Sequence, residues 1–217
     1  MERARRTALV VASADAGQLA GVTERPDLVI AADGGLHAVL DRGWIPDLVV
    51  GDMDSVDPSA LAAAGEDGAR IERHQVGKDQ SDLELAIAAA RRDRVTDLHV
   101  VVRSGGRLDH QLANLVVLAA PESVAMAIHA HVGDHAVWVV RGRREIDLEV
   151  GAHVAVQPVG GEALVTTTGV AFPVQRERLS PFSARGVANR VTDSPVVVEV
   201  EAGAVLVISS PPTPQGG

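Results

Sequence analysis

The sequence contains no cysteine, which excludes disulfide bonds and thiolate metal ligands. Aromatic residues make up only 2% of the chain, so a core must be built from valine, leucine, alanine and isoleucine. Small and β-branched residues of this kind are typical of parallel strands covered by helices. A cysteine-free chain is compatible with a reducing compartment, and we expect a cytoplasmic protein.

Positive charge is also scarce. The chain has 20 Lys and Arg against 29 Asp and Glu, a net charge of −9, and its basic residues form no stripe. Proteins that bind nucleic acid or anionic membranes usually carry a basic face, so we expect neither partner. No apolar run is long enough to span a bilayer. The basic residues 1–6 precede an apolar run that Ser13 and Asp15 interrupt. This run is too short for a signal peptide, so we predict that it forms a first β-strand.

What remains is a 217-residue chain of ordinary globular composition, 46% hydrophobic and 23% charged. In its first part, short apolar runs alternate with segments of helical spacing, as in a doubly wound, mainly parallel sheet. The predicted strands are Ala8–Ala12, Leu28–Ala32, Leu48–Val50 and Leu98–Val102, and the predicted helices contain Leu36–Leu40, Leu83–Ala90 and Leu112–Ala119.

The pattern changes near residue 130. Short strands separated by Gly, Asp or Pro then follow one another without a long helix, which predicts a smaller antiparallel β-sandwich. We therefore predict an α/β domain over 1–130, a β-sandwich domain over 131–210 and a disordered Pro- and Gly-rich tail over 211–217. The strands predicted in the second domain are Ala136–Val140, His153–Gln157, Ala163–Thr167, Val196–Val200 and Ala204–Ile208.

Four clusters that could carry chemistry lie where predicted strands end, and ligands of doubly wound folds bind at such ends. The first is Asp33-Gly34-Gly35, which taken alone is explained as a turn with Asp33 capping a helix. The second is Gly51-Asp52-Met53-Asp54-Ser55. In an extended chain Asp52 and Asp54 point the same way, and such a pair favours Mg²⁺, although a solvated acidic turn before Pro58 is the alternative.

The third cluster, Lys78 to Glu84, is predicted to open a helix. Ser81 and Glu84 have the spacing of a capping box, which by itself explains the polar residues. Asp79 and Asp82, however, lie three residues apart on one helical face, so one of them can bind metal or accept a proton from an attacking hydroxyl.

The fourth cluster, Ser104-Gly105-Gly106-Arg107-Leu108-Asp109-His110, joins a predicted strand to a predicted helix. Free amides and the helix dipole at such a junction favour phosphate, which Arg107 can grip with two hydrogen bonds. Asp109 can cap the helix or bind a ribose or metal. For His110, a packed, hydrogen-bonded role is favoured over a catalytic one. The Walker spacing is absent.

Together, Asp-Gly-Gly, Gly-Asp-x-Asp-Ser, Asp-x-Ser-Asp and Gly-Gly-Arg-x-Asp-His resemble the thiamin pyrophosphokinase family from about Ala31 to Asn114. More loosely, Thr168–Val174 resembles the family's Gly-x-x-aromatic-Pro segment, Gly186–Asn189 its Ser-Asn segment, and Gly203–Ile208 its closing strand.

The resemblance implies an α/β nucleotide domain followed by a β-sandwich, in a homodimer with the thiamin site between subunits. It implies Mg²⁺-dependent transfer of the pyrophosphoryl group of ATP to the hydroxyethyl oxygen of thiamin, with release of AMP. It makes Asp52, Asp54 and Asp82 the expected metal ligands, Asp82, Asp79 and Asp54 the catalytic carboxylates, and Phe172, Ala188 and Asn189 the acceptor-binding residues. The nucleotide and its phosphates would contact Asp33, Gly34, Gly35, Ser55, Gly105, Gly106, Arg107, Asp109 and His110.

The sequence departs from the family pattern at several positions. Ala188 stands where the family usually has a serine whose hydroxyl helps to hold the thiamin pyrimidine, which bears on the acceptor more than on the reaction. Met53 and Phe172 replace the usual Phe and Tyr, and Arg103-Ser104 replaces a smaller, glycine-rich run. None of these changes removes an expected magnesium ligand.

Other functions fit less of the pattern. A pyrophosphokinase acting on a pterin or a thiamin analogue would keep the metal and ATP residues and change only the acceptor contacts. A phosphohydrolase of the haloacid dehalogenase type places its nucleophilic Asp on the first strand, and the Asp-x-Asp pair here follows a later one. Glycosyltransferases also use Asp-x-Asp but do not explain Gly-Gly-Arg-x-Asp-His. A nucleotide-binding protein with a decayed site would not need all five carboxylates.

Overall fold

The structure is a computed structural model that describes residues 4–75 and 80–212. The chain divides into two compact units, Met1–Val117 with Ala125–Gly133, and Leu118–Val124 with Asp134–Gly217. No helix among the described residues is long and apolar enough to cross a membrane.

The first unit is built on a parallel sheet. Its strands are β1 (Thr7–Ala12), β2 (Leu28–Ala32), β3 (Leu48–Gly51), β4 (Arg70–Arg73), β5 (Asp97–Val102) and β6 (Ala127–Val132). In the described residues their order is β6-β5-β1-β2-β3-β4. The chain builds outward from β1 through β2, β3 and β4, then returns to the other side of β1 for β5 and β6. This reversal places a topological switch point between β1 and β5.

Helices cover the sheet because its strands β1, β2 and β3 are apolar on both faces. Leu9, Val11 and Val29 lie in a buried cluster with Leu36 of α1 and Leu61 of α2. Their sequence neighbours in β1 and β2 point to the other face, and α3 contacts β1, β2 and β3. The helices are α1 (Gly35–Asp41), α2 (Pro58–Glu66), α3 (Asp82–Arg92) and α4 (Leu108–Leu118), with 3-10 turns at Ala16–Leu19 and Pro121–Ser123.

Helix α4 differs from the other helices in what it buries. Its apolar residues recur with helical spacing, as the sequence predicts, yet Leu108, Leu112 and Val116 are 80%, 62% and 49% exposed. These three side chains lie four residues apart along one face of the helix. The helix therefore presents an apolar stripe at its surface.

The second unit is a β-sandwich. One layer pairs β12, β9, β14 and β7 in that order, the other pairs β11, β10, β13 and β8, and the pairings are antiparallel. Valines of both layers fill the space between them, among them Val156, Val165, Val198 and Val207. The strands are β7 (His135–Val140), β8 (Arg143–Ile146), β9 (His153–Pro158), β10 (Ala163–Thr168), β11 (Glu177–Leu179), β12 (Asn189–Arg190), β13 (Val196–Ala202) and β14 (Val205–Ser210).

The predicted α/β fold with a smaller antiparallel sandwich is confirmed. The strands predicted from apolar runs are all present, while α2, β4, β6, β8, β11 and β12 were not predicted. The predicted domain boundaries stay predictions, and most of the predicted tail, from 213 onward, lies outside the described residues.

Candidate functional site

A cleft of about 820 Å³ opens in the first unit at the carboxyl ends of β1, β2 and β5. Its walls include Ala12 and Ser13 after β1, Asp33 after β2, Asp82 at the start of α3, and the loop Val102–Arg107 after β5. This is the switch point of the sheet, where doubly wound proteins bind their ligands. The first, third and fourth sequence clusters thus meet in one cleft.

Asp33 is held rigidly at the end of β2. Its backbone N–H donates to the Val50 carbonyl at 2.9 Å, and its own carbonyl accepts from Leu36 at 3.1 Å, so Asp33 bridges β3 and α1. Its φ of +45° is a left-handed conformation, and its side chain is only 7% exposed. Within the described residues, Oδ1 of this buried carboxylate has no hydrogen-bond partner. A buried, unpaired carboxylate oxygen is costly unless a cation or donor occupies the space before it.

The glycines after Asp33 have different roles. A Cβ on Gly35 would collide with the backbone carbonyl of Val11, so α1 can begin this close to β1 only with glycine there. A Cβ on Gly34 would make ordinary contacts, 3.5 Å from the Ser55 carbonyl oxygen. Gly34 therefore lies beside Ser55 of the second cluster, and this contact does not require glycine.

The sequence reasoning assumed that the second cluster is extended, and the structure shows that it is not. Met53 takes a left-handed conformation with φ of +67° and buries its side chain in the core. The turn separates the two carboxylates: Asp52 is half-buried, whereas Asp54 is exposed. The Asp54 N–H donates to Oδ1 of Asp52 at 3.2 Å, and the Ser55 hydroxyl donates to Oδ1 of Asp54 at 2.8 Å.

The third cluster begins α3 as a capping box. The Ser81 hydroxyl accepts from the Glu84 N–H at 3.2 Å, and the Glu84 carboxylate accepts from the Ser81 N–H at 2.7 Å, as the spacing predicts. Asp82 is the first residue of the helix and is half-buried in the cleft wall. Asp79 lies outside the described residues.

Three carboxylates from three different chain segments converge at this point. Asp33, Asp52 and Asp82 each offer one oxygen, and these oxygens lie within 4.8 Å of one another. Gly51 makes the approach possible, because a Cβ there would stand 3.1 Å from Cβ of Asp33 and 3.2 Å from Oδ1 of Asp82. Its φ of +150° also disfavours any other residue. The geometry thus brings Asp33 into the group where the sequence reasoning had placed Asp54.

The glycine loop forms another part of the cleft wall. Gly105 and Gly106 have φ of +93° and +77°, which turns the chain from β5 into α4. Arg107 donates from Nε and Nη2 to the two oxygens of Asp109, at 3.1 and 2.5 Å. That hydrogen bonding lowers the pKa of Asp109 to about 2. The Asp109 carboxylate also accepts from the His110 N–H at 2.9 Å, within the first turn of α4.

Several residues to which the sequence reasoning assigned no role line the same cleft. Ser104, Gln111 and Asn114 contribute polar side chains, and Arg103 contributes a positive charge. The signal for two of them was present, since Gln111 and Asn114 of α4 continue the helical spacing that starts at Arg107, just before the helix.

The expected acceptor residues lie in the second unit, where two of them are joined. The Asn189 amide accepts from the Phe172 N–H at 2.9 Å and donates to the Phe172 carbonyl at 2.8 Å. This exchange fixes the backbone of Phe172 and leaves its ring 65% exposed. Ala188 precedes the pair in a left-handed conformation with φ of +58°, and it is exposed.

The chain is similar to known proteins of one family. The family model for the thiamin pyrophosphokinase catalytic domain matches residues 19–129. Thiamine pyrophosphokinase 2 of Oryza sativa subsp. japonica is 26% identical over 207 residues, which cover 84% of this chain and 78% of that protein. Thiamine pyrophosphokinase of Bacillus subtilis (strain 168) is 33% identical over 100 residues, 46% of this chain and 47% of the relative.

Solved structures show the same fold. The crystal structure of the Bacillus subtilis thiamine pyrophosphokinase superposes with a TM-score of 0.82 at 23% identity, covering 96% of this chain and all of that one. The Candida albicans thiamin pyrophosphokinase gives a TM-score of 0.76 at 14% identity, over 95% and 90% of the two chains. Since the family model matches just over half of the sequence, the chain belongs to the thiamin pyrophosphokinase family.

Proposed function

We propose that this chain transfers the pyrophosphoryl group of ATP to thiamin, giving thiamin diphosphate and AMP. The observation that carries the proposal is the convergence of Asp33, Asp52 and Asp82 at a cleft that Asp33 and Asp82 line together with a glycine loop and a helix N-terminus. Pyrophosphoryl transfer needs positioning and charge neutralisation rather than a covalent nucleophile, and this cleft offers residues for both.

The carboxylate group fits Mg²⁺. The ion takes hard oxygen ligands and keeps several waters, so a few carboxylate oxygens within 4.8 Å of one another suffice to hold it. The unpartnered Oδ1 of Asp33 is the oxygen that a cation would satisfy. Asp33, Asp52 and Asp82 are therefore the proposed ligands, while a ligand role for Asp54 stays a prediction. Bound there, Mg²⁺ would neutralise the phosphate charge of ATP and favour the departure of AMP as the leaving group.

The part of the cleft wall formed by the glycine loop is suited to the phosphates. Backbone amides of the Gly105–Gly106 turn and of the first turn of α4 are the groups that bind anions at a helix N-terminus. Arg103 and Arg107 add positive charge at the same wall. The pairing of Arg107 with Asp109 holds the guanidinium at the cleft, and phosphate oxygens would compete with Asp109 for its donors.

The reaction joins the hydroxyethyl oxygen of thiamin to the β-phosphorus of ATP. The bond between that phosphorus and the oxygen bridging to the α-phosphate breaks, and AMP leaves with this oxygen. The hydroxyl proton must pass to a base, for which Asp82 and Asp79 are the candidates. Asp82 lines the cleft beside the proposed metal ligands, close to where the new bond would form.

The proposed acceptor surface includes Phe172, Ala188 and Asn189. The two hydrogen bonds between the Asn189 amide and the Phe172 backbone support a positioning role for Asn189, with the exposed Phe172 ring free to contact an aromatic acceptor. Ala188 offers no hydroxyl, so acceptor specificity is the part of the proposal to test separately. Thiamin, thiamin analogues and a pterin alcohol, compared as acceptors at fixed ATP, would do so.

We further propose that the enzyme is a homodimer in the cytoplasm. The stripe of Leu108, Leu112 and Val116 on α4 is exposed, and monomers rarely leave such apolar stripes in water. This supports a dimer in which a second copy of the chain covers the stripe. Analytical ultracentrifugation would test this. A Leu112→Glu variant should sediment as a monomer, and a wild-type chain that is monomeric at micromolar concentration would contradict the proposal.

The activity is tested by identifying the products of ATP, Mg²⁺ and thiamin. AMP and thiamin diphosphate in equal amounts are expected, with loss of both products in Asp52→Asn. Formation of ADP, or release of phosphate in the absence of thiamin, would contradict the proposal. Comparison of Asp54→Asn with Asp52→Asn also tests the ligand set: both lose most turnover if both bind metal, whereas Asp54→Asn retains more turnover if Asp33 takes that place.

A further inference from the structure

Three histidines cluster on two neighbouring strands of the first unit, away from the carboxylates. His99 of β5 is paired in register with His129 of β6, and Val101 of β5 with His131 of β6. Alternate residues of a strand share a face, so the three imidazoles lie on one face of the sheet. Strand β1 separates these strands from β2 and the carboxylate site that follows it.

The rings are already in mutual contact. The His99 and His129 rings stack with centroids 5.0 Å apart, and the His131 ring stands at 5.0 Å from the first and 4.7 Å from the second, tilted by about 60° to each. Nε2 of His99 and Nδ1 of His131 are 2.8 Å apart. One nitrogen from each of the three side chains falls within 4.8 Å of the other two.

Two imidazoles of the cluster are largely withdrawn from water. Burial, and then the neighbouring His131, lower the pKa of His99 to about 4, and burial also lowers the pKa of His131. Burial therefore favours the neutral form of the His99 and His131 rings. The neutral ring is the form that ligates transition metals.

We propose that His99, His129 and His131 form a site for a divalent transition metal of the zinc type, separate from the carboxylate site. Three imidazoles with one open position suit Zn²⁺, with water as the fourth ligand. Mg²⁺ prefers oxygen, so the two sites select different ions. All three side chains are half-buried, so the cluster is not closed to solvent.

Binding requires only side-chain movement. In a tetrahedral site with Zn–N distances near 2.1 Å, ligand nitrogens stand roughly 3.4 Å apart. The 2.8 Å contact between His99 and His131 would open slightly, and the nitrogen separations of up to 4.8 Å would shorten. Small rotations about χ1 and χ2 achieve both changes.

The nearest acidic side chain on this face of β5 is engaged elsewhere. Asp97, two residues before His99, accepts from the Thr96 hydroxyl at 2.8 Å and pairs with Arg5 at 3.2 Å. The proposed ligand set is therefore imidazole only. The competing role for the cluster is packing alone, in which the contact between His99 and His131 is a hydrogen bond between neutral rings and no ion binds.

Zinc titration of the purified protein separates these roles. It is performed without ATP or thiamin and with millimolar Mg²⁺ present, so that the carboxylates are occupied. Wild type should bind one Zn²⁺ per chain at this site, and His99→Gln and His131→Gln should each weaken binding by more than about 100-fold, the upper range for losing a supporting group alone. His135→Gln, which changes an exposed histidine of β7, is the matched control and should bind as wild type does.

The Asp52→Asn variant makes the outcome independent of the proposed activity, because it disables the carboxylate site and should still bind zinc. Equal zinc affinity in wild type and His131→Gln, or loss of zinc binding in Asp52→Asn, would overturn the proposal. If the histidine variants do not fold, imidazole NMR signals of the wild-type protein decide. One equivalent of zinc should shift the signals of three histidines, and unchanged signals mean that the cluster only packs.

Discussion

Asp33→Asn removes one charge from the carboxylate group while leaving its shape unchanged. The substitution is clean because asparagine tolerates the left-handed conformation of this position, φ +45°, as well as aspartate does. The backbone hydrogen bonds to Val50 and from Leu36 do not involve the side chain. The added amide N–H₂ can donate to a neighbouring carboxylate, which an unpartnered Oδ1 cannot.

The expected gain follows from the distances. Two unit charges at the 4.8 Å limit of the group repel by about 3.5 kcal/mol at an effective dielectric constant of about 20. Asp52 and Asp82 are half exposed, so water screens much of this repulsion. In metal-free buffer we therefore expect the free energy of unfolding of Asp33→Asn to exceed that of wild type by about 1–2 kcal/mol, a rise of a few degrees in Tm.

Magnesium should reverse the order. An ion at 100 times its Kd stabilises the wild-type protein by about 2.7 kcal/mol, and most of that gain is lost when one of three carboxylates is removed. Thermal unfolding in EDTA and in Mg²⁺ measures both effects. Asp54→Asn is the control, because it removes an exposed charge and should change metal-free stability by less than about 0.5 kcal/mol. A metal-free Asp33→Asn less stable than wild type, or equal stabilisation of both by Mg²⁺, would refute the reasoning.

Three further predictions follow from local geometry. Gly35→Ala should destabilise the protein by more than about 3 kcal/mol in urea unfolding, because its Cβ meets the backbone of β1, while Gly34→Ala should cost less than about 1 kcal/mol. Ser81→Ala should cost about 1 kcal/mol through loss of the α3 cap, and a wild-type unfolding curve would show that the cap contributes nothing. In an NMR titration the pKa of Asp109 should lie near 2 and return toward 3.8 in Arg107→Gln. Since folding lowers this pKa, its small contribution to stability is present above about pH 4 and is lost as the pH falls toward 2. An unchanged Asp109 titration in the variant would show that the ion pair does not persist in solution.

The sequence predicted the elements that follow simple hydrophobic rules. Strands β1, β2 and β3 are apolar runs buried on both faces, and such runs are recognisable without knowledge of their neighbours. Strand β4 was missed because its residues, Arg70–Arg73, are mostly charged and exposed. Strand β6 was missed because histidines at 129 and 131 replace the apolar residues on one of its faces.

Helix α2 was missed although its start signals were present. Asp57 caps its first turn by accepting from the Ser59 and Ala60 amides, and Pro58 occupies its first position. The alanine-rich segment that follows shows only weak periodicity, because alanine suits both faces of a helix. The sequence reasoning weighed a solvated turn only for the residues before Pro58 and predicted no helix after it.

At the site, the sequence located the strand ends but not the direction of each side chain. That Asp33, Asp82 and the glycine loop share one cleft follows from parallel strands ending at one edge. That Asp52 and Asp54 diverge depends on the left-handed backbone of Met53, which no residue-type rule predicts for methionine. The inclusion of Asp33 in the carboxylate group depends in turn on the space that Gly51 leaves.

The position of the metal ion tests the account's central claim most directly. Crystals of the protein grown with Mn²⁺, which substitutes for Mg²⁺, and a non-hydrolysable ATP analogue would locate it by anomalous diffraction. We predict a peak coordinated by Asp33, Asp52 and Asp82, with the analogue's phosphates between it and the Gly105–Gly106 loop. A peak coordinated without Asp33, or phosphates bound outside this cleft, would contradict the account.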